Sequence, residues 1–125
     1  MPHVMTMEDA LLRIRMYETL TPKDLVRLAD DVIELEAAFD RTPWRVTDMR
    51  GIRHFRVGFR DMLAFADRRK DAPPRQPIRS ALVVNSHVQY GFGRMFQTLN
   101  DHPLVTVEIF RDISEALDWL GIPRK

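Results

Sequence analysis

An α/β fold, with a mixed, mostly parallel sheet of four to five strands flanked by four helices, is what three features of this sequence predict. The first is a strand-turn-helix unit over Ile78–Leu99. The second is the alternation of strand-like and helix-like runs along the whole chain. The third is that three of the helical runs open on recognisable capping residues. In the central unit, Ala81-Leu82-Val83-Val84 is a short apolar run that reads as a strand buried on both faces. After Asn85-Ser86-His87 the period changes, and Val88, Phe92, Met95, Phe96 and Leu99 mark one face of a helix. Ser86, with Gln89 three residues on, fits a capping box.

The other elements follow in order. Val4 and Met5 open a short strand that turns at Glu8-Asp9. From Ala10 to Tyr17, Leu12, Ile14 and Met16 alternate with Arg13 and Arg15, a strand with one wet face, as at an antiparallel or edge position. Thr21-Pro22-Lys23-Asp24 starts a helix, with Thr21 as cap and Pro22 in its first turn. Its buried face is Leu25, Leu28, Ala29, Val32, Leu35 and Phe39, and it should end before Thr42-Pro43. Trp44–Met49 is the next strand, ended by Gly51, with Asp48 at its C-terminal mouth. A helix from Val57 to Lys70 follows. Phe55, Phe59, Met62, Leu63 and Ala66 make its apolar stripe, and Arg53, Arg56, Arg60, Asp61, Asp67, Arg68, Arg69 and Lys70 fall on the other face.

The prolines of Asp71–Pro77 require a loop. Leu104–Phe110 is the last strand. The last helix is capped by Asp112 and Glu115, striped by Ile113, Ala116, Leu117 and Leu120 with Trp119 beside them, and closed by Gly121 and Pro123.

Composition narrows the function. With 125 residues, 45% hydrophobic and 30% charged, the chain suits one domain over 1–125 with a real core. A formal charge of +1 gives no electrostatic case for nucleic acid. The absence of cysteine removes disulfides, thiolate metal sites and cysteine nucleophiles. No signal peptide and no run long enough to span a bilayer is seen, so a cytoplasmic protein is expected, with contact at a membrane surface left open.

Three segments together resemble a known family. Asp48-Met49-Arg50-Gly51, Tyr90-Gly91-Phe92-Gly93-Arg94-Met95-Phe96 and Phe110–Gly121 look like the SpoIIAA-like, STAS/SEC14-type bacterial domains. The resemblance implies a mixed sheet flanked by helices and a regulatory role without catalysis. Its members include anti-sigma factor antagonists, and more distant relatives bind lipids. In the antagonists a serine or threonine after the strand ending in Asp is phosphorylated. Met49-Arg50-Gly51 occupy that place here, so the switch residue is missing.

Residues able to carry chemistry are few. Ser86 sits at a strand-to-helix turn, but the nucleophile elbow needs glycines where Val84 and Val88 stand, so it reads as a helix cap. His87 is a candidate donor beside it, or simply a solvated histidine. The four histidines have no ligand spacing, so neither metal nor cofactor is expected. Gly91-Phe92-Gly93 lacks the Lys-Ser/Thr of a phosphate loop and reads as close helix–sheet packing.

In open α/β sheets partners meet the C-terminal strand ends. That edge would carry the binding set Asp48, Arg50, Ser86, His87, Tyr90, Arg94 and Arg111. The sequence therefore favours a non-catalytic protein-interaction module, expected to form a homo-oligomer. The alternative is a carrier or sensor of a small apolar or lipid-like ligand held between the second and third helices.

Overall fold

A computed structural model describes residues 3–122, whose strands join in one five-stranded sheet of order β1-β2-β3-β4-β5. The elements are β1 (His3–Glu8), β2 (Leu11–Leu20), α1 (Pro22–Ala37), β3 (Trp44–Phe55), α2 (Phe59–Lys70), β4 (Ile78–Val83), α3 (His87–Leu99), β5 (Val105–Phe110) and α4 (Ile113–Trp119). β1 pairs antiparallel with β2, and every later pair is parallel. Each parallel step adds its strand on the same side of the last. Right-handed crossovers then put α1, α2 and α3 on one face of the sheet and leave α4 alone on the other. The α/β architecture is therefore the one read from the sequence, with five strands and four helices.

Several boundaries differ from the sequence reading. The first turn is Asp9-Ala10, not Glu8-Asp9, and both residues have positive φ (51° and 65°), as a two-residue hairpin on twisted strands requires. Of the two positions read for β2 the antiparallel one holds, since it pairs antiparallel with β1. It is not an edge strand but lies between β1 and β3, and its arginine face is wet because no helix covers that part of the sheet. α1 ends at Ala37, so Phe39 lies beyond it and is exposed.

β3 does not stop at Gly51 but runs on to Phe55. Its register with β2 slips between Arg15 and Tyr17 and again between Glu18 and Thr19, each slip adding a residue to β3. Gly51 belongs to the first irregularity, where a Cβ would lie 2.5 Å from the Met16 carbonyl oxygen. Arg53, Phe55 and Arg56 accordingly precede α2 and take no part in it. α2 starts at Phe59, with the Asp61 carboxylate accepting the Gly58 N–H at 2.8 Å.

The caps of the later helices also differ in detail. Ser86 accepts the Gln89 N–H as expected, but the Gln89 side chain accepts from Asn85, one residue before the cap. Asp112 accepts from Ser114, and Glu115 stays exposed. Gly121 takes φ +74° just past α4, and Pro123 lies outside the described residues. Trp119 is half-buried. Its ring tilts against Phe110 at 5.6 Å, and Arg79 stacks on it at 5.1 Å while donating to its carbonyl.

The larger core lies beneath α1–α3, built on Leu12, Ile14, Met16, Met49, Ile52 and Leu82 of the sheet. The smaller one, with Leu11, Val46, Ala81 and Val83, is closed by Ala116 of α4 and by Leu120 just past its end. Within the larger face three charged side chains are buried together. Glu36, in the last turn of α1, accepts from Arg45 of β3 at 2.8 Å and from Arg69 of α2 at 3.2 Å. Arg45 also donates to Ser80 of β4 at 3.3 Å.

The sequence pattern places Arg69 on the outer face, yet it is only 8% exposed. The reason is its spacing: Met62, Ala66 and Arg69 form one stripe. Burial first, and then the neighbouring Arg69, push Arg45 down from its ordinary value to about 10 against the pull of Glu36. Because the folded value lies below the free one, this penalty is constant at neutral pH and is relieved only as pH climbs above about 10. Glu36→Gln would leave two buried cations without a counter-charge. It is expected to cost about 3–5 kcal/mol in urea unfolding at neutral pH. A loss within the range of a surface change would show that the three charges do not share a dry site.

Candidate functional site

A sheet whose order never reverses has no switch point, and so no ready-made crevice at its C-terminal edge. What breaks that edge is the unequal length of the strands. β3 pairs with β4 only from Arg45 to Asp48, opposite Ser80 to Val83, and residues 49–55 then extend beyond the end of β4. Asp48 is thus mid-strand, where β4 gives out, and not at a strand mouth.

The free side of this overhang is held by one buried side chain. Gln89, 3% exposed in the first turn of α3, donates through Nε2 to the Arg50 and Ile52 carbonyls at 3.2 and 3.0 Å. Its Oε1 accepts the Asn85 N–H at 2.8 Å. One amide therefore does for the overhang what a longer β4 would have done. It also fixes the start of α3 against β3, which is a role the sequence reading missed. The available signal is a polar residue, Gln89, three residues before Phe92 and seven before Phe96, in line with the apolar stripe of α3.

The seven candidate residues separate into groups. Asp48 and Arg50 satisfy each other on the α4 face of the sheet. Arg50 donates from Nε and Nη2 at 2.9 Å, and its backbone N–H bonds the same carboxylate at 3.0 Å. They border a shallow pocket of ≈ 270 Å³ with Arg13, Arg15 and Ile113. Burial raises the Asp48 pKa, but the side-chain and backbone hydrogen bonds from Arg50 outweigh it and leave the carboxyl below its usual value. The bond to Asp48 likewise raises Arg50.

Tyr90 and Arg111 form a second pair, the guanidinium lying 5.4 Å from the ring centroid. Arg94 bonds Gln97 on its own helix, and His87 is exposed. Ser86 alone faces the open groove of ≈ 650 Å³ under the overhang. Arg53, His54, Arg56, Val88 and Phe92 border it, and it has no acidic residue in its lining. Phe92 stacks on Phe55 at 4.1 Å to form the floor. The structure thus brings together Asp48 with Arg50 and Tyr90 with Arg111, and it adds Arg53, His54 and Arg56, which are not among the residues the sequence singles out for binding. Among the described residues no group of three or more His, Asp and Glu is placed to hold a metal, and no helix is long and apolar enough to cross a membrane.

Two solved structures share this architecture over nearly their full lengths. One is an uncharacterised Shewanella loihica protein with a SpoIIAA-like fold, 18% identical, with TM-score 0.60, covering 94% of this chain and 91% of that one. The fold is SpoIIAA-like. The other is an anti-sigma factor antagonist from Mycobacterium paratuberculosis, 12% identical, with TM-score 0.61, covering 95% of this chain and 92% of that one. The STAS-type resemblance read from the sequence therefore holds at the level of the fold. No family model and no curated protein sequence matches the chain.

Two measurements test the SpoIIAA-like edge as built here. Gln89→Leu would strip two carbonyls of their partner, and it is expected to cost about 2–4 kcal/mol and to speed amide exchange over residues 50–55. Unchanged exchange there would show that the overhang holds itself. Asp48 has a folded pKa below its free value. Its stabilising contribution is present above the free pKa and is lost as pH falls through the folded one. Its carboxyl carbon, followed by NMR, should titrate below an ordinary aspartate and move upward in Arg50→Gln.

Proposed function

We propose that this protein is a non-catalytic regulatory module that binds an acidic segment of a partner protein in the groove between the end of β3 and the start of α3. The observation that carries this reading is the composition of that groove. It has cationic Arg53 and Arg56, His54 beside them, an apolar Val88 that is 59% exposed, and no acid in the lining. Such a surface complements an acidic segment with an apolar anchor. A structural neighbour named as an anti-sigma factor antagonist supports a role exerted on another protein.

Absence of catalysis belongs to the same reading. Ser86 is engaged as a helix cap, and Asp48 is held by Arg50. Neither Met49 nor Arg50 carries a hydroxyl, so the module is read as working without a phosphoserine switch. Carriage of a small ligand is the second reading, favoured by a largely apolar cavity beneath α1–α3.

The test uses a partner first captured by the wild-type protein and then purified. Its affinity should fall about tenfold or more with Arg53→Glu/Arg56→Glu, fall with Val88→Asp, and weaken as salt rises. Affinity unchanged by these substitutions would overturn the reading. So would a wild-type dimer that Val88→Asp dissolves, since that would assign the groove to a second copy of the chain.

A further inference from the structure

The geometry points to a site for a small monocarboxylate of two or three carbons in the cavity beneath α1, α2 and α3, its charged end held by Arg69 and Arg45. This inference stands apart from the interaction-module reading, because the cations involved are not those of the groove.

The first support is a charge count. Arg45, Arg69 and Glu36 are 5%, 8% and 8% exposed, so two buried cations share one buried anion. The second is a missing bond. Glu36 spends one oxygen on Arg45 and the other on Arg69 Nη2, while Arg69 Nη1, shut off from solvent, has no hydrogen-bond partner. A buried guanidinium N–H without an acceptor is costly, and folded proteins seldom leave one. The third is space. A cavity of ≈ 70 Å³ is lined by both arginines and Ser80, with walls that include Met16, Leu28 and Met49.

These features favour a carboxylate over its rivals. A water would accept from Nη1 but would leave the surplus charge in place and gain little from the apolar walls. A neutral apolar molecule would fill the space and leave Nη1 bare. A dianion would replace one surplus charge with the opposite one. A monocarboxylate supplies the acceptor, brings the cluster to two charges of each sign, and rests its methyl or ethyl group on the wall. A cavity of about 150 Å³ takes up a benzene ring, so one near half that size limits the tail to one or two carbons.

The experiment follows thermal unfolding of the full chain titrated with sodium propionate or propionamide, ionic strength being matched with sodium chloride. Propionate should raise the Tm saturably, by about 5 °C at roughly ten times its Kd, and propionamide should not. Arg69→Met removes the surplus cation and keeps the Glu36–Arg45 pair, so it should fold and lose the response. Should that variant not fold, the wild-type contrast still decides, together with NOEs from the propionate methyl to the Met16 and Met49 methyls. An equal response to both compounds would reduce the cavity to apolar filling and overturn the proposal. No response to either would mean that water satisfies Nη1, and a propionate response retained in folded Arg69→Met would place the anion elsewhere. Either result would also overturn it.

Discussion

The buried contact of Glu36 with Arg45 and Arg69 is the constraint around which the larger core is arranged. It joins α1, β3 and α2 directly, and through Ser80 it reaches β4. Glu36 stands at the C-terminal end of α1, where the helix dipole disfavours an acid, whereas Arg69 stands at the C-terminal end of α2, where a cation is favoured. The cluster therefore depends on its partners being present together. Apolar packing alone would let α1 and α2 slide on the sheet with modest loss. Three charges that must stay paired out of water allow one placement. A cavity lies at their side, lined by Arg45, Arg69 and Ser80.

The second organising feature is the mismatch between β3 and β4. A parallel sheet of equal strands would end in a flat edge. Here β3 continues for residues 49–55 after its pairing with β4 has ended, and two register slips against β2 turn Met49, Ile52 and Phe55 toward the helices. Gln89 takes up two of the carbonyls left without a strand, so the overhang stays attached to α3. The groove results from this arrangement, and its basic rim comes from the same overhang and the turn after it. Fold and surface are linked here, because the strand that escapes its neighbour is the one that carries Arg53 and His54.

The two faces of the sheet have divided roles. The face under α1–α3 is deep, apolar and crossed by the ion cluster. The other is covered by the short helix α4 and the residues just after it, which leaves Arg13, Arg15, Asp48 and Arg50 at a shallow polar surface. The bidentate pair of Asp48 with Arg50 belongs to that open face. Candidate residues that looked adjacent along a strand edge thus lie on different sides of the sheet, and Tyr90 with Arg111 pairs separately from both.

Local patterns in the sequence were enough to determine the α/β class, the order of elements, the caps at Thr21 and Ser86, and the inward faces of β2 and α1. Each of these depends on residues within one or two turns of one another, where periodicity and capping chemistry act directly. The sequence pattern ends β3 at Gly51 and puts Phe55 on the stripe of the next helix, and its difference from the structure has an equally physical reason. Two added residues give Met49, Ile52 and Phe55 a spacing of three, which in sequence imitates a helix and merges with the true stripe of α2. Glu36 and Arg69 did fall on apolar stripes, at four residues from Val32 and three from Ala66, yet a charge on a stripe does not name its partner. The tertiary structure decided that these charges meet, that Gln89 replaces a missing strand, and that the groove and the cavity exist. All of these join segments far apart in the chain, and only packing brings their side chains within bonding distance.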